Sequence, residues 1–552
     1  MKKIASATII FFILVLALFV RVYRLDRNLP ALYADEVGGG YTSYVYLQEP
    51  ATSFPDFLYR NFYRRLVMFT WLFGLTPLGV RLPSAIYGTL LLFIFYLFIR
   101  QIDYKEIKNQ DLIPLITLIL LSFVPWGIHL SRIGHPFVLL FLLTMSLHWI
   151  LYIKAKSPRE YIISILPLFF AAWCYPSGII LGPLFILLLM LKKRKKYLRQ
   201  EIKIIFFLII IAIGIFVLLL PRSGARGFDL AIWRDVNVTA NEDLDRGLAR
   251  LSSPSIFSLN KDPDVVGKLF YNYPLAVVRV FMRNYLSFFS PDFLFLKGDP
   301  VLRYSTGRFG VLYPMLLPFL VYGIFLMATK GDPKIKEMFF FWIMVAPIPA
   351  AITKDGAGYL LRVTTMLPLL TCLSALGFIG SLEFFSKKIR ILYFLSISFL
   401  FVFSVYSFLF NYFHVYPAKA AKSFEYGFKQ LADWQKEENL LPLLIIWDGY
   451  YPRFYFAFWQ PTFFKKLNRF VVKKIEVDKS VFYQAAENLY FSLPKEETDL
   501  KMFLEEKKIF FLALPVDLRE SFSRYQLFQE KPVKSIEYPD RTPVFYLYQI
   551  SH

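Results

Sequence analysis

Apolar stretches of roughly 17 to 25 residues recur along the first three quarters of the chain, each long enough to cross a bilayer as a helix. Nothing constrains this sequence more. Inside hydrocarbon every backbone N–H and C=O must be satisfied within the segment, and runs of this length select helices over barrel strands. The runs fall at 4–20, 82–100, 112–129, 136–153, 161–175, 177–191, 204–220, 309–328, 338–352, 363–381 and 391–411, so the expectation is about eleven transmembrane helices. Composition agrees: 56% of residues are hydrophobic, 19% are aromatic and the mean hydropathy is +0.47, too apolar for a soluble protein of this size.

The net charge of +22 does not point to nucleic acid, because many of its cations sit in short clusters between apolar runs. "KAKSPR", "KKRKKYLRQEIK", "KGDPKIK" and "SKKIR" all fall on one side when the runs alternate from a cytoplasmic start, as the positive-inside rule requires. The first run follows Met1-Lys2-Lys3 and lacks a small-residue cleavage site at its far end, so it reads as an uncleaved anchor. The expected division is a polytopic membrane domain over 1–411, with outer loops 21–80 and 221–308, and a small extracytoplasmic α/β domain over 412–552. In that tail, shorter apolar runs such as "LLPLLIIW" and "KKIFFLALPV" alternate with charged stretches. Cys174 and Cys372, the two cysteines, lie in or beside apolar runs and build neither a disulfide framework nor a zinc site.

Four polar stretches fall at the outer face under this topology. The first, "LYADEVGGGYTSY", has the adjacent acids Asp35 and Glu36 just beyond the first run, where a partly dehydrated carboxylate is paired, metal-bound or functional. Its glycines, Gly38 to Gly40, are not a nucleotide loop, since no Gly-Lys-Ser/Thr follows; they let the backbone pass close to a ligand or a neighbouring helix. The second, "HLSRIGHPF", offers Arg132, a cation suited to a lipid headgroup or a donor phosphate, and His135 as proton carrier or ligand. The third, from Asn284 to Tyr313, packs Asp292, Lys297, Asp299, Arg303 and Arg308 among aromatics, and the fourth, from Pro347 to Pro368, carries Lys354, Asp355 and Arg362. Four outer elements with cations near the hydrocarbon surface suggest one anionic amphiphile bound among them.

The order of these segments, an acidic pair in the first outer loop, "SRIG" in the second, "NYLSFFSPDFLFLKGDP" and an "IPAAIT…LR" turn, resembles the polyprenyl-phosphate-dependent glycosyltransferases of the GT-C fold. The group nearest in pattern is that of the protein O-mannosyltransferases and aminoarabinose transferases, and the resemblance covers the membrane domain. It implies a GT-C-like fold, transfer of a sugar from a polyprenyl-phosphate donor to an extracytoplasmic acceptor, and a site in the plasma membrane. It also implies Asp35 as the catalytic residue with Glu36 as its companion, and Arg132, Arg303 and Arg362 as cations for the donor phosphate. His135, Asp292, Lys297 and Lys354 complete the candidate substrate-binding set. Many members of the group carry a further acid in the second outer loop, where this chain reads "SRIGHP", so a divalent metal is left open.

The chemistry suits such a donor: its leaving group is already anionic, so the enzyme needs a base for the acceptor hydroxyl and cations for the departing phosphate. Single displacement inverts the anomeric centre. The rival reading is a transporter or flippase of lipid-linked sugars; transporters usually show repeated halves and charges near the midplane, whereas these charges gather at one face. A third, a surface receptor anchored by its spans, needs only one or two of them.

Overall fold

The computed structural model describes residues 2–48, 64–104, 107–192, 230–235, 238, 271–449, 451–461 and 472–550. The expected span at 204–220 and parts of both outer loops lie outside the described residues. Among the described residues, four helices are long and apolar enough to cross a membrane: Pro77–Ile99, Pro136–Lys154, Met366–Phe384 and Lys387–Ala420. Shorter apolar helices cover Ala7–Val22, Gln110–Phe123, Ser177–Leu188 and Pro314–Lys330.

Two expected spans are interrupted rather than continuous. The run at 112–129 breaks into Ile113–Phe123 and Pro125–Leu130, with Val124 extended between them (φ −64°, ψ 148°) as the residue before a proline prefers. The run at 338–352 falls within Pro333–Val345 and the short helix Ile348–Ala351, with Pro347 and Pro349 at the break removing two backbone donors.

The chain forms two compact units, one of residues 1–21, 84–131 and 135–408, the other of 22–83, 132–134 and 409–552. The first unit is helical. Its centre is Met366–Ser381, every residue of which is buried, packed against Leu317–Lys330. Glycines set that approach: a Cβ at Gly323 would lie 1.8 Å from the Leu373 carbonyl oxygen, and one at Gly377 would lie 1.9 Å from that of Phe319. Close backbone contact through small residues is the usual route to helix association in lipid. By contrast, Lys387–Phe410 buries only Phe408 and exposes Leu392, Phe399, Val402 and Phe403, the surface of a lipid-facing helix.

Two cations in this unit end on backbone carbonyls. Arg21, fully buried at the end of the first helix, donates to the Ala17 and Ser122 carbonyls and to Ser131 Oγ. Lys334 Nζ donates to the carbonyls of Ile153 and Ala155 at 2.9 and 2.6 Å, beneath the rings of Tyr152 and Tyr161. It thereby caps the C-terminal end of Pro136–Lys154, where the helix dipole favours a cation.

The second unit contains a seven-stranded sheet of order β2-β3-β4-β1-β5-β7-β6, formed by β1 (Leu443–Ile446), β2 (Lys473–Val477), β3 (Ser480–Ala486), β4 (Leu489–Ser492), β5 (Phe511–Pro515), β6 (Lys534–Glu537) and β7 (Pro543–Gln549). Central β1 pairs in parallel with β4 and β5, and the outer pairs are antiparallel. The two apolar tail runs noted in the sequence contain the central strands β1 and β5, all of whose residues are buried because both faces are covered. Leu444, Ile446, Leu512 and Leu514 point to one face with Phe503 of helix Glu497–Lys507, whose ring stacks on Phe482 at 3.9 Å. On the other face Phe511 meets Trp434 of helix Phe428–Glu437 at 4.8 Å.

Candidate functional site

The acidic pair of the second unit separates in environment. Asp35 and Glu36 lie in the first turn of helix Ala34–Tyr46, where the dipole favours negative charge. Successive helical residues point about 100° apart, and here Asp35 is exposed while Glu36 is 0% exposed. Glu36 Oε1 accepts from Arg81 Nε at 2.8 Å and from the Gly134 N–H at 2.7 Å; Oε2 accepts from Arg81 Nη2 at 2.8 Å and the Tyr33 N–H at 3.2 Å. Arg81 also donates to the carbonyls of Leu25 and Ala31. This is a bidentate, dehydrated ion pair with additional donors, the arrangement in which a buried charge is tolerated. Glu36 therefore presents no open face to a substrate and partners an arginine instead of acting beside Asp35 as a catalytic group: it ties the loop after the first run to Gly134 of the next polar loop.

Arg81 is not in the candidate set; it stands immediately before the apolar run at 82–100. Its signal was a lone cation at the head of a span. The three glycines behind the acids are packing positions: a Cβ at Gly39 would lie 3.0 Å from Met68 Cε, and one at Gly40 would lie 2.8 Å from Phe458 and 2.9 Å from Val80.

Arg132 is also fully buried in this unit. It donates to the Tyr23 carbonyl at 2.8 Å and stands over the rings of Tyr412 and Phe413 at 5.4 and 5.0 Å. Enclosed in this way, it braces the second loop rather than presenting a surface cation. Exposed cations lie beside its partners instead: Arg24 and Arg27 line an open cleft together with Tyr23 and Phe413.

The first unit gathers a separate polar cluster. Asp299, 1% exposed, accepts from the N–H groups of Val301 and Leu360, both at 2.7 Å, and its own carbonyl accepts from Ser305 Oγ. Burial pushes its carboxyl up to about 7, against the opposing pull of those two N–H donors and of Arg303 and Arg362. His129 Nε2 is 2.8 Å from the Arg303 carbonyl, and the His135 ring lies 5.7 Å from Tyr304, which in turn lies 5.3 Å from Tyr359. The Arg362 guanidinium sits 4.4 Å over Tyr359 and donates to Thr353 Oγ1. His135, Arg303 and Arg362 thus belong to one aromatic-lined group, and Asp299, outside the candidate set, is its acidic member. Burial, reinforced by Arg303, pushes His135 down to about 3, so it is a neutral imidazole near pH 7 rather than a proton carrier.

The remaining candidates are peripheral. Asp292 and Lys297 form an exposed pair at 2.8 Å, and exposed pairs of this kind contribute little. Lys354 is exposed while its N–H donates to the Leu230 carbonyl, beside the antiparallel bridge of Ala231 with Thr353. Among the described residues, the acids close enough to share an ion are Asp478, Glu496 and Asp499, within 4.8 Å of one another in the tail. Two of them already have partners, Lys479 on Glu496 and Ser480 on Asp499.

Apolar helices and these clusters define an integral, polytopic helical membrane protein. No family model matches the sequence, and no curated protein is similar to it in sequence. Among solved structures, the oligosaccharyltransferase of Archaeoglobus fulgidus, in complex with Zn and sulfate, aligns over 98% of this chain and 73% of its own at 11% identity and TM-score 0.46. ArnT from Cupriavidus metallidurans bound to undecaprenyl phosphate aligns over 99% of this chain and 98% of its own, at 10% identity and TM-score 0.45.

Proposed function

We propose that the protein is an integral-membrane glycosyltransferase, which moves a sugar from a polyprenyl-phosphate donor to an extracytoplasmic protein, lipid or glycan acceptor with inversion. The observation that carries the reading is the division of labour in the acidic pair. Glu36 is consumed by Arg81, Gly134 and Tyr33, while Asp35, one residue earlier on the same turn, is exposed. Asp35 acts as the general base: it takes the proton of the acceptor hydroxyl as that oxygen bonds to the anomeric carbon and the bond to the donor phosphate breaks. The cations proposed for the donor phosphate are Arg303 and Arg362 of the first unit. The membrane domain over 1–411, the extracytoplasmic tail over 412–552 and a plasma-membrane location belong to the same proposal.

The test is transfer from labelled polyprenyl-phosphate sugars to a panel of acceptors by the protein reconstituted in vesicles. Asp35→Asn keeps the size and removes the base, so transfer should fall by about 100-fold to 10,000-fold with donor binding retained. Arg303→Ala and Arg362→Ala should each weaken donor binding by about 2 to 5 kcal/mol. Translocation of the lipid-linked sugar without transfer would favour a flippase, and a near wild-type transfer rate in Asp35→Asn would remove Asp35 as the base.

A further inference from the structure

Helix Ala34–Tyr46 begins against residues from the far end of the chain, all within the second unit. The Ala34 N–H donates to Glu425 Oε2 at 2.8 Å, and the Tyr455 hydroxyl donates to the same oxygen. On the other side of the residue, the Tyr451 hydroxyl donates to the Ala34 carbonyl at 2.8 Å. Both peptide groups flanking the Ala34 Cα are therefore held from outside the helix, and the second of them supplies the nitrogen of Asp35.

Each supporting position shows a local cost that the anchor explains. Glu425 adopts the left-handed conformation (φ 53°) after the short helix Lys422–Phe424, a place where glycine would be easier but would carry no carboxylate. Gly38 leaves room for the tyrosine, since a Cβ there would lie 3.1 Å from Tyr451 Oη. Tyr455 is fixed in turn by stacking on Phe428 at 4.8 Å. An anionic acceptor on the first N–H of a helix also complements its dipole.

We infer that Glu425, with Tyr455 and Tyr451, is a positioning group that fixes the start of this helix and so aims the Asp35 carboxylate. The inference rests on the reading of Asp35 as the base and extends it: the C-terminal segment orders the catalytic turn. Small displacements matter to such a group, because a shift of about 1 Å costs on the order of 100-fold in rate.

The experiment measures amide hydrogen exchange over residues 33–37, thermal stability, and kcat and donor KM, for the full-length protein and for Glu425→Ala, Glu425→Gln and Tyr451→Phe. In Glu425→Ala, exchange should rise locally and kcat should fall at least about tenfold while donor KM stays within about twofold. Glu425→Gln keeps an acceptor oxygen and should recover most of both. If Glu425→Ala does not fold, Tyr451→Phe, which deletes one hydroxyl, decides by the same two readouts. Unchanged exchange, or raised exchange with kcat intact, overturns the inference. A wild-type protein inactive with every donor would instead defeat the Asp35 reading, and the exchange comparison would still establish or sink the anchor.

Discussion

A carboxylate and a guanidinium removed from water together are stable only as a pair, so the Glu36–Arg81 contact, with exposures of 0% and 1%, makes a sharp prediction. Removing one partner leaves the other charged and dry, and breaking such a pair costs about 3 to 5 kcal/mol. Glu36→Gln and Arg81→Met should each lower stability in detergent by that order, and the double variant should lose less than the sum of the two. Strict additivity in thermal or denaturant unfolding would show that the two groups do not act as a pair. Asp299 yields a prediction in pH. Its carboxyl is raised from 3.8 to about 7 by burial, so between those values the folded state holds a proton that the unfolded state has released. Stability from this group is complete below the unfolded value and is lost as pH rises through about 7. Asp299→Asn should therefore flatten the dependence of the unfolding midpoint between pH 4 and pH 7 relative to the parent protein. An unaltered slope would place the titration elsewhere.

Between helices, the tightest prediction concerns Leu317–Lys330 and Met366–Ser381. A methyl at Gly377 has a carbonyl oxygen 1.9 Å away, whereas a methyl at Gly182 would meet nothing closer than Leu168 Cβ at 3.8 Å. Gly377→Ala should destabilise by about 1 to 3 kcal/mol or reduce folded yield through overpacking. Gly182→Ala should be neutral or better, since a helical glycine there carries only its entropic cost. Equal melting temperatures for the two would refute the close approach. Helices such as these were legible in the sequence because run length is a local signal: 4–20 became Lys2–Val22, and 136–153 became Pro136–Lys154. The break at Val124-Pro125 was legible too, but hydropathy outweighed the proline. The candidate clusters were only half legible. Residue type marked Asp35, Arg303 and Arg362, yet the burial of Glu36 depends on Arg81, 45 positions away, and that of Arg132 on Tyr412 and Phe413, far along the chain. No local pattern carries such pairings.

For the whole molecule, the exposed apolar surface of Lys387–Phe410 and the span-length helices require a bilayer, and function then turns on which side each polar segment faces. The orientation proposed above rests on the positive-inside rule: with cationic turns such as "KGDPKIK" in the cytoplasm, the acid-bearing loop and the C-terminal tail would face outward. The two native cysteines make the test clean, because Cys174 and Cys372 are both buried and should be silent towards an impermeant thiol reagent. Single cysteines can then be placed at exposed positions, Asp26 near the acidic turn, Lys531 in the tail and Lys330 at a cationic turn. In intact cells, Asp26→Cys and Lys531→Cys should label, while Lys330→Cys should label only after permeabilisation. The reverse pattern would put Asp35 in the cytosol, where a donor presented at the outer leaflet cannot reach it. Labelling of Asp26→Cys without Lys531→Cys would place the loop and the tail on opposite sides of the bilayer. That outcome would also exclude Glu425 as the anchor of the Asp35 helix, so a single labelling series bears on both the orientation and the inferred link.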